Sequence, residues 1–320
     1  MRNKRNNNII TISAIFMIGL ISCISTITRM VEKKEYRNIQ IEEINGEIPE
    51  EDFILWLGHS SFVIKLKGIV FYTDPILTDK VVIIKRLIKL PVDIEKLPAP
   101  DFVVISHNHY DHMDIPSLKI LEEKAKNEGK KLYVFVPKRA SYYLKGMNFI
   151  TVELPWGSKY KIKDLEITSI KVKHFSGRNL FDWNFSLWNA YLIASDNFKV
   201  LFMGDTAYTE LPYLEPDLSL APIGAWKPRW FMKRNHVSPC EAVRMSYETG
   251  AKLMIPMHYG TFRQGADTPE ESILNMEECA KEIGLTYYVA KPGEILTLTK
   301  IASLSKKIAS DISGEKTKKD

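Results

Sequence analysis

Between residues 50 and 299 short apolar runs alternate with polar breaks, and the period of each run predicts the element it builds. Ser61 to Leu66 and Ile69 to Thr73 flank the turn dipeptide Lys67-Gly68 and read as paired strands. Phe102-Val103-Val104-Ile105 is a continuous apolar run, the mark of a strand covered on both faces. Leu132 to Val136, Leu165 to Lys173, Leu187 to Ala194, Val200 to Met203 and Leu253 to Pro256 are further strand candidates. A helix is predicted from about Pro116 to Lys126, with Asp114 near its cap. Ser238-Pro239-Cys240-Glu241 and Thr268-Pro269-Glu270-Glu271 each combine a capping hydroxyl, a first-turn proline and a glutamate at the third position, so a helix starts at each. Gly250 and Gly284 stand where those helices should stop. Strands and helices alternate irregularly, which predicts an α+β arrangement of sheets with helices outside, not a strict βαβ repeat.

The ends differ from this middle. Arg2, Lys4 and Arg5 precede an apolar run from Ile9 to Ile21, followed by Leu20-Ile21-Ser22-Cys23. A basic start, an apolar stretch and a small residue before a cut point make an export signal. The Leu-Ile-Ser-Cys tetrapeptide also resembles the bacterial lipobox, in which the cysteine is lipidated. The weakly apolar stretch continues to Ile27, close to the length an uncleaved membrane anchor needs. Residues 1–37 therefore read as a signal or anchor segment and the protein as membrane-associated, exported or anchored, with a cytoplasmic location as the alternative. Residues 38–299 read as one catalytic domain, because no repeat or low-complexity linker divides it. Residues 300–320, rich in Lys, Ser and Glu, read as a basic flexible tail.

Composition adds limits. A chain of 320 residues with 45% hydrophobic content can bury one large core or two smaller ones. The net charge of +5 suits an anionic surface or a phosphate-bearing substrate without separating the two. Cys23, Cys240 and Cys279 are the three cysteines, too few for a disulfide framework or a cysteine-rich zinc module. A bound metal must therefore be held by histidine and carboxylate.

The candidate chemistry begins where the buried strand Phe102–Ile105 ends, at His107-Asn108-His109-Tyr110-Asp111-His112. His107 and His109 can converge from an extended loop, while Asp111 and His112 belong to the next turn and can reach a second centre. Imidazole with carboxylate suits zinc or a neighbouring transition metal. His174, Asp205 and His258 each follow an apolar strand, where open sheets place their sites. Together these seven residues suffice for two metals.

Several motifs carry a family resemblance. They are Leu57-Gly58-His59-Ser60-Ser61-Phe62, Thr73-Asp74-Pro75, Ser106 through His112, and His174-Phe175-Ser176-Gly177-Arg178. They continue as Gly204-Asp205-Thr206, Pro222 through Trp230, His236-Val237-Ser238-Pro239 and Met257 through Phe262. In this order the blocks resemble the metallo-β-lactamase-fold hydrolases, and more closely the branch of N-acyl-phosphatidylethanolamine-hydrolysing phospholipase D. The resemblance implies an αβ/βα four-layer sandwich with two Zn2+ ions at the edge between the sheets. It implies that His107, His109 and His174 hold one zinc, that Asp111, His112 and His258 hold the other, and that Asp205 bridges them. Asp111 and His236 are the candidate catalytic residues, His236 for contacting a phosphate or protonating a leaving oxygen. His59 and Asp74 would orient the ligands or serve a buried turn. The implied reaction is phosphodiester hydrolysis in a phospholipid, with a membrane surface as partner and no nucleic acid. Lactone hydrolysis is the enzymatic alternative, and a metal-binding envelope protein the non-enzymatic one.

Two departures bear on the substrate. Cys240 stands where an acidic residue is usual, and Arg263-Gln264-Gly265-Ala266-Asp267 replaces an Asp-Glu-Pro stretch. The stretch Lys80 to Lys89 reads as an amphipathic core element, with contact to a membrane surface as the alternative. Trp226, Trp230 and Phe231 read as core packing or as a hold on an acyl chain.

Overall fold

The computed structural model of the chain describes residues 39–44 and 46–305. The signal or anchor expected over residues 1–37 and the tail from 306 lie outside them. Among the described residues, two large mixed sheets face one another. The first takes its strands in the order β15 (Ile295–Thr297), β1 (Phe53–Gly58), β2 (Ser61–Leu66), β3 (Ile69–Thr73), β6 (Phe102–Val104), β7 (Tyr133–Pro137) and β8 (Ile150–Leu154). The second runs β14 (Met254–Met257), β13 (Leu218–Pro222), β12 (Lys199–Phe202), β11 (Asn189–Ala194), β10 (Leu165–Lys171) and β9 (Lys159–Ile162). A separate small ribbon pairs β4 (Lys80–Val81) with β5 (Ile84–Lys85).

Strand β1 shows why the layers stack. Its side chains alternate across the sheet, and both faces are apolar. Ile54 and Trp56 enter the core between the sheets, while Phe53, Leu55 and Leu57 enter the outer core. Leu118, Leu121 and Ala125 of α1 (Ile115–Asn127) close that outer core. On the far side, Ala242, Val243 and Met245 of α3 (Pro239–Glu248) and Met276 and Ala280 of α4 (Pro269–Ile283) cover the second sheet. The order is thus helix, sheet, sheet, helices: an αβ/βα sandwich. No helix among the described residues is long and apolar enough to cross a membrane.

The predicted caps form. Asp114 accepts from Ser117 N at the start of α1, and Ser238 and Glu241 make a reciprocal capping box on α3. Thr268 accepts from Glu271 N at the start of α4, and Gly284 ends it in the left-handed conformation.

Three expectations need correction. The stretch Lys80–Lys89 is not a core element throughout: Val81 and Ile88 are buried, but Val82 and Ile84 are exposed and Ile83 is 82% exposed. The β4–β5 ribbon pairs with neither large sheet, and only its Val81 end packs inward, against Ile76 and Phe262. Trp230 likewise does not pack in the core; it and Phe231 lie exposed on the single-turn helix α2 (Arg229–Met232). Of the stretch expected as a tail from residue 300, the described part, 300–305, belongs to a helix over 298–305 in which Ile301 is buried.

Candidate metal centre

Strands β1, β3, β6, β10, β12 and β14 all end at one edge of the sandwich, because each is parallel within its sheet, directly or through an intervening antiparallel strand. Beyond those ends come His59, Asp74, the Ser106–His112 loop, His174, Asp205 and His258. Cross-sheet hydrogen bonds hold the two halves together there: Asn189 N donates to Ser106 O at 2.8 Å and Tyr191 OH to Ile105 O at 2.9 Å. Gly204 lets the Asp205 loop come close, since a Cβ there would lie 2.5 Å from Ser106 Cβ. His59, Asp74 and His258 have positive φ (54°, 33° and 63°), a conformation that costs about 1–3 kcal/mol each and collects at functional sites.

All seven predicted ligands meet. His107 Nε2 lies 2.8 Å from His109 Nδ1, and His174 Nε2 lies 3.4 Å from the same nitrogen. His112 Nε2 stands 3.3 Å from His258 Nε2, 3.2 Å from Asp111 Oδ2 and 3.3 Å from Asp205 Oδ2. Asp205 lies between the two groups: Oδ1 is 3.1 Å from His258 Nε2, and Oδ2 is 3.9 Å from His174 Nε2. Atoms held at roughly 2.0–2.1 Å around one tetrahedral ion stand about 3.3 Å apart. These spacings match that edge. Asp205 Oδ1 is buried and, among the described residues, faces only the His258 ring at 3.1 Å, a nitrogen that can itself serve as a metal ligand.

Neighbouring groups set the rings. His174 Nδ1 lies 2.8 Å from Asn235 O; as a donor there it turns the Nε2 lone pair toward the cluster. Asp74 is buried, accepts from Ser106 N at 2.7 Å and from the Ser106 hydroxyl, and lies 2.6 Å from His112 Nδ1. His59 Nε2 lies 3.1 Å from Asp111 Oδ2 and its ring centroid 4.1 Å from that of His258, close enough to count as a further donor beside Asp111, His112 and His258.

Burial drives His107 and His174 well below the ordinary histidine range and His109 to about 4, so these rings are neutral with lone pairs free for a metal. Burial would lower His112 and His258 too, but the neighbouring carboxylates together outweigh it, Asp205, Asp111 and Asp74 raising His112 well above the usual range and Asp205 with Asp111 raising His258 to about 9. Burial would raise Asp205 and Asp111; instead the surrounding histidines hold both far below the usual carboxylate range. Imidazoles and carboxylates converging at this depth make a donor set that suits a bound cation.

Beside the cluster opens a cavity of about 500 Å³. His109, Asp111, Asp205 and His236 form its floor, with Phe175, Met232 and Phe262 on its walls and the exposed Val82–Ile84 turn at its edge. His236, the predicted substrate-contacting residue, has Nδ1 3.8 Å from Asp205 Oδ2, and burial lowers its pKa to about 4. The Arg263–Asp267 departure, expected to line the pocket, does so through Arg263, Gln264 and Gly265, and Gln264 Nε2 donates to Asp111 Oδ2 at 2.5 Å. Asp267 folds away from the ligands and accepts from the Ala225 and Trp226 amides at 3.0 Å.

Residues 71–259 match the β-lactamase superfamily domain. The chain belongs to the metallo-β-lactamase-fold family. Within it the chain is 31% identical over 264 residues to N-acyl-phosphatidylethanolamine-hydrolyzing phospholipase D 1 of Caenorhabditis elegans, across 74% of this chain and 73% of that protein. It is 27% identical over 250 residues to a metal-dependent hydrolase of Methanopyrus kandleri, across 75% of this chain and 97% of the other. Among solved structures, the metallo hydrolase Igni18 of Ignicoccus hospitalis shares the fold at a TM-score of 0.58 and 22% identity, over 77% of this chain and 98% of that one. This metallo-β-lactamase-fold protein is a metal-dependent hydrolase.

Proposed function

We propose that the protein is a binuclear zinc phosphodiesterase that cleaves a phospholipid of the N-acyl-phosphatidylethanolamine kind. The observation that carries the proposal is Asp205, whose Oδ1 lies 3.1 Å from His258 Nε2 and whose Oδ2 lies 3.3 Å from His112 Nε2 and 3.9 Å from His174 Nε2, so that its carboxylate reaches both histidine groups. His107, His109 and His174 would hold one ion, Asp111, His112 and His258 the other, and Asp205 would serve both. A bound pair of ions supplies an activated water near neutral pH and offsets charge developing on the attacked phosphate.

The chain's own residues do the rest. Asp205 and Asp111 bring the negative charge that retains the ions. His236, neutral at pH 7, offers a hydrogen bond to a phosphate oxygen or to the leaving oxygen from the cavity side. Phe175, Met232 and Phe262 give acyl or glyceryl carbons an apolar wall and limit water at the floor. Ile83 at the cavity edge and Trp230 and Phe231, exposed beside Met232 of α2, suit insertion into a lipid surface. The segment over residues 1–37 fits this reading as a lipid-modified or membrane-anchored tether on the exported side.

The test is a product screen with purified, zinc-loaded protein. Vesicles of N-acyl-phosphatidylethanolamine should yield phosphatidic acid and the N-acyl-ethanolamine, faster than lactones are opened. Lactone turnover without phosphodiester cleavage would replace this reading.

A further inference from the structure

Cys240 stands where the family resemblance leads one to expect an acidic residue, and the site's chemistry makes no use of it. Its Cα lies 5.4 Å from that of Cys279, 39 residues away. That separation falls within the roughly 4.4–6.8 Å that a disulfide spans. We propose that Cys240 and Cys279 form a disulfide in the working protein, a covalent staple between the first turn of α3 and the last turns of α4. The reading is independent of the substrate assigned above.

What the staple encloses gives it a purpose. The closed loop contains α3, β14, His258 and the Phe262–Gly265 segment that walls the cavity. Holding the ends of that loop together shrinks the unfolded ensemble and favours the arrangement in which His258 meets Asp205. At the near end, Glu241 caps Ser238 and pairs with Arg229, whose other nitrogen donates to His236 O at 2.6 Å. The bond therefore fixes the turn that carries His236. Three cysteines seemed too few for a disulfide framework, and they are; a single pairing needs only that two of them meet.

Closure requires an oxidant, which we take to be a disulfide-bearing thiol oxidoreductase of an oxidising compartment. Cys240 is exposed and Cys279 half-buried, so the partner can reach Cys240 first. The Cys240 thiolate attacks the partner's disulfide, giving a mixed disulfide and one partner thiolate. The Cys279 thiolate then attacks Cys240 Sγ and expels the second partner thiolate. Two protein thiols lose two electrons to one partner disulfide, and their protons end on the partner's thiols.

Two measurements on the full-length protein decide the matter. Non-reducing peptide mapping, after alkylation of free thiols in the expressing cells, should recover the peptides containing Cys240 and Cys279 as one linked species. Thermal unfolding of the wild type should fall by roughly 5–10 °C in reductant. Cys240→Ser and Cys279→Ser should show the same loss without reductant, ignore reductant, and lose nothing more when combined. Alkylated thiols at both positions, or losses that add in the double variant, would overturn the staple.

Discussion

The Nε2 atoms of His112 and His258 stand 3.3 Å apart, although 146 residues separate them in the chain. Whether as two lone pairs or as the like charges that the surrounding carboxylates favour, two such nitrogens repel across that gap. Asp74 lies 2.6 Å from the other nitrogen of His112, so that ring cannot simply rotate away. Around the gap lie Asp111 Oδ2 and both oxygens of Asp205, all within 4 Å of one ring or the other. A cation beside both nitrogens turns this repulsive arrangement into an attractive one.

Folding and metal binding should therefore be coupled. Chelation should lower the unfolding midpoint by roughly 8 °C or more, since a ligand present at a thousand times its Kd contributes about 4 kcal/mol. Zinc should restore it. Calorimetry of the apo and reloaded protein checks this, and an unchanged midpoint would count against a cation at the centre.

Replacing Asp205 should separate binding from later chemistry. Asp205→Ala removes the carboxylate that faces both histidine groups, so metal content should fall well below about two equivalents and turnover should vanish. His236→Ala should keep the metals and slow turnover by roughly 10²-fold, the loss expected for one hydrogen-bonding acid–base group. Metal analysis beside kcat distinguishes the two. Asp205→Ala with near-normal metal content would refute the bridging role.

Much of this centre was legible because each candidate ligand follows a short apolar strand, and the strand's carboxyl end fixes where the side chain starts. The hairpin of β2 and β3 and the caps at Asp114, Ser238 and Thr268 were legible for the same local reason. Other features depend on what packs against them, which the local pattern does not record. Strand β1 is apolar on both faces and so lacks the alternation that marks a half-exposed strand. The Val82–Ile84 turn carries the residues of a core element, and only the absence of a neighbouring strand exposes it. Gln264 reaches Asp111 from 153 residues away, and Cys240 and Cys279 meet only because α3 and α4 pack side by side.

Gln264 should prove a positioning residue for Asp111. Its amide and the His59 ring both approach Oδ2, pinning that oxygen and setting which one faces the metal. Gln264→Ala should weaken one metal's affinity by roughly 10–100-fold, as loss of a hydrogen bond to a ligand generally does. Gln264→Glu keeps the size, loses the donor and adds repulsion, so it should be at least as poor. Zinc titration of the apo protein reads this directly, and equal affinities in all three proteins would make the contact incidental.

The exposed rim should matter for lipid but not for a soluble substrate. Trp230 is 75% exposed and meets Phe231, itself exposed, edge to face at 5.7 Å. Sinking one such side chain into a lipid surface is worth about 1.5–3 kcal/mol. Trp230→Ser should therefore reduce partition onto vesicles roughly ten- to a hundredfold, and Phe231→Ser somewhat less. Neither lines the cavity, so hydrolysis of bis-p-nitrophenyl phosphate should persist in both. Vesicle sedimentation beside that soluble assay is the check. If turnover of lipid and soluble substrate fell together, the aromatic pair would be supporting the fold of α2, because a surface anchor affects only the substrate that lies in the surface.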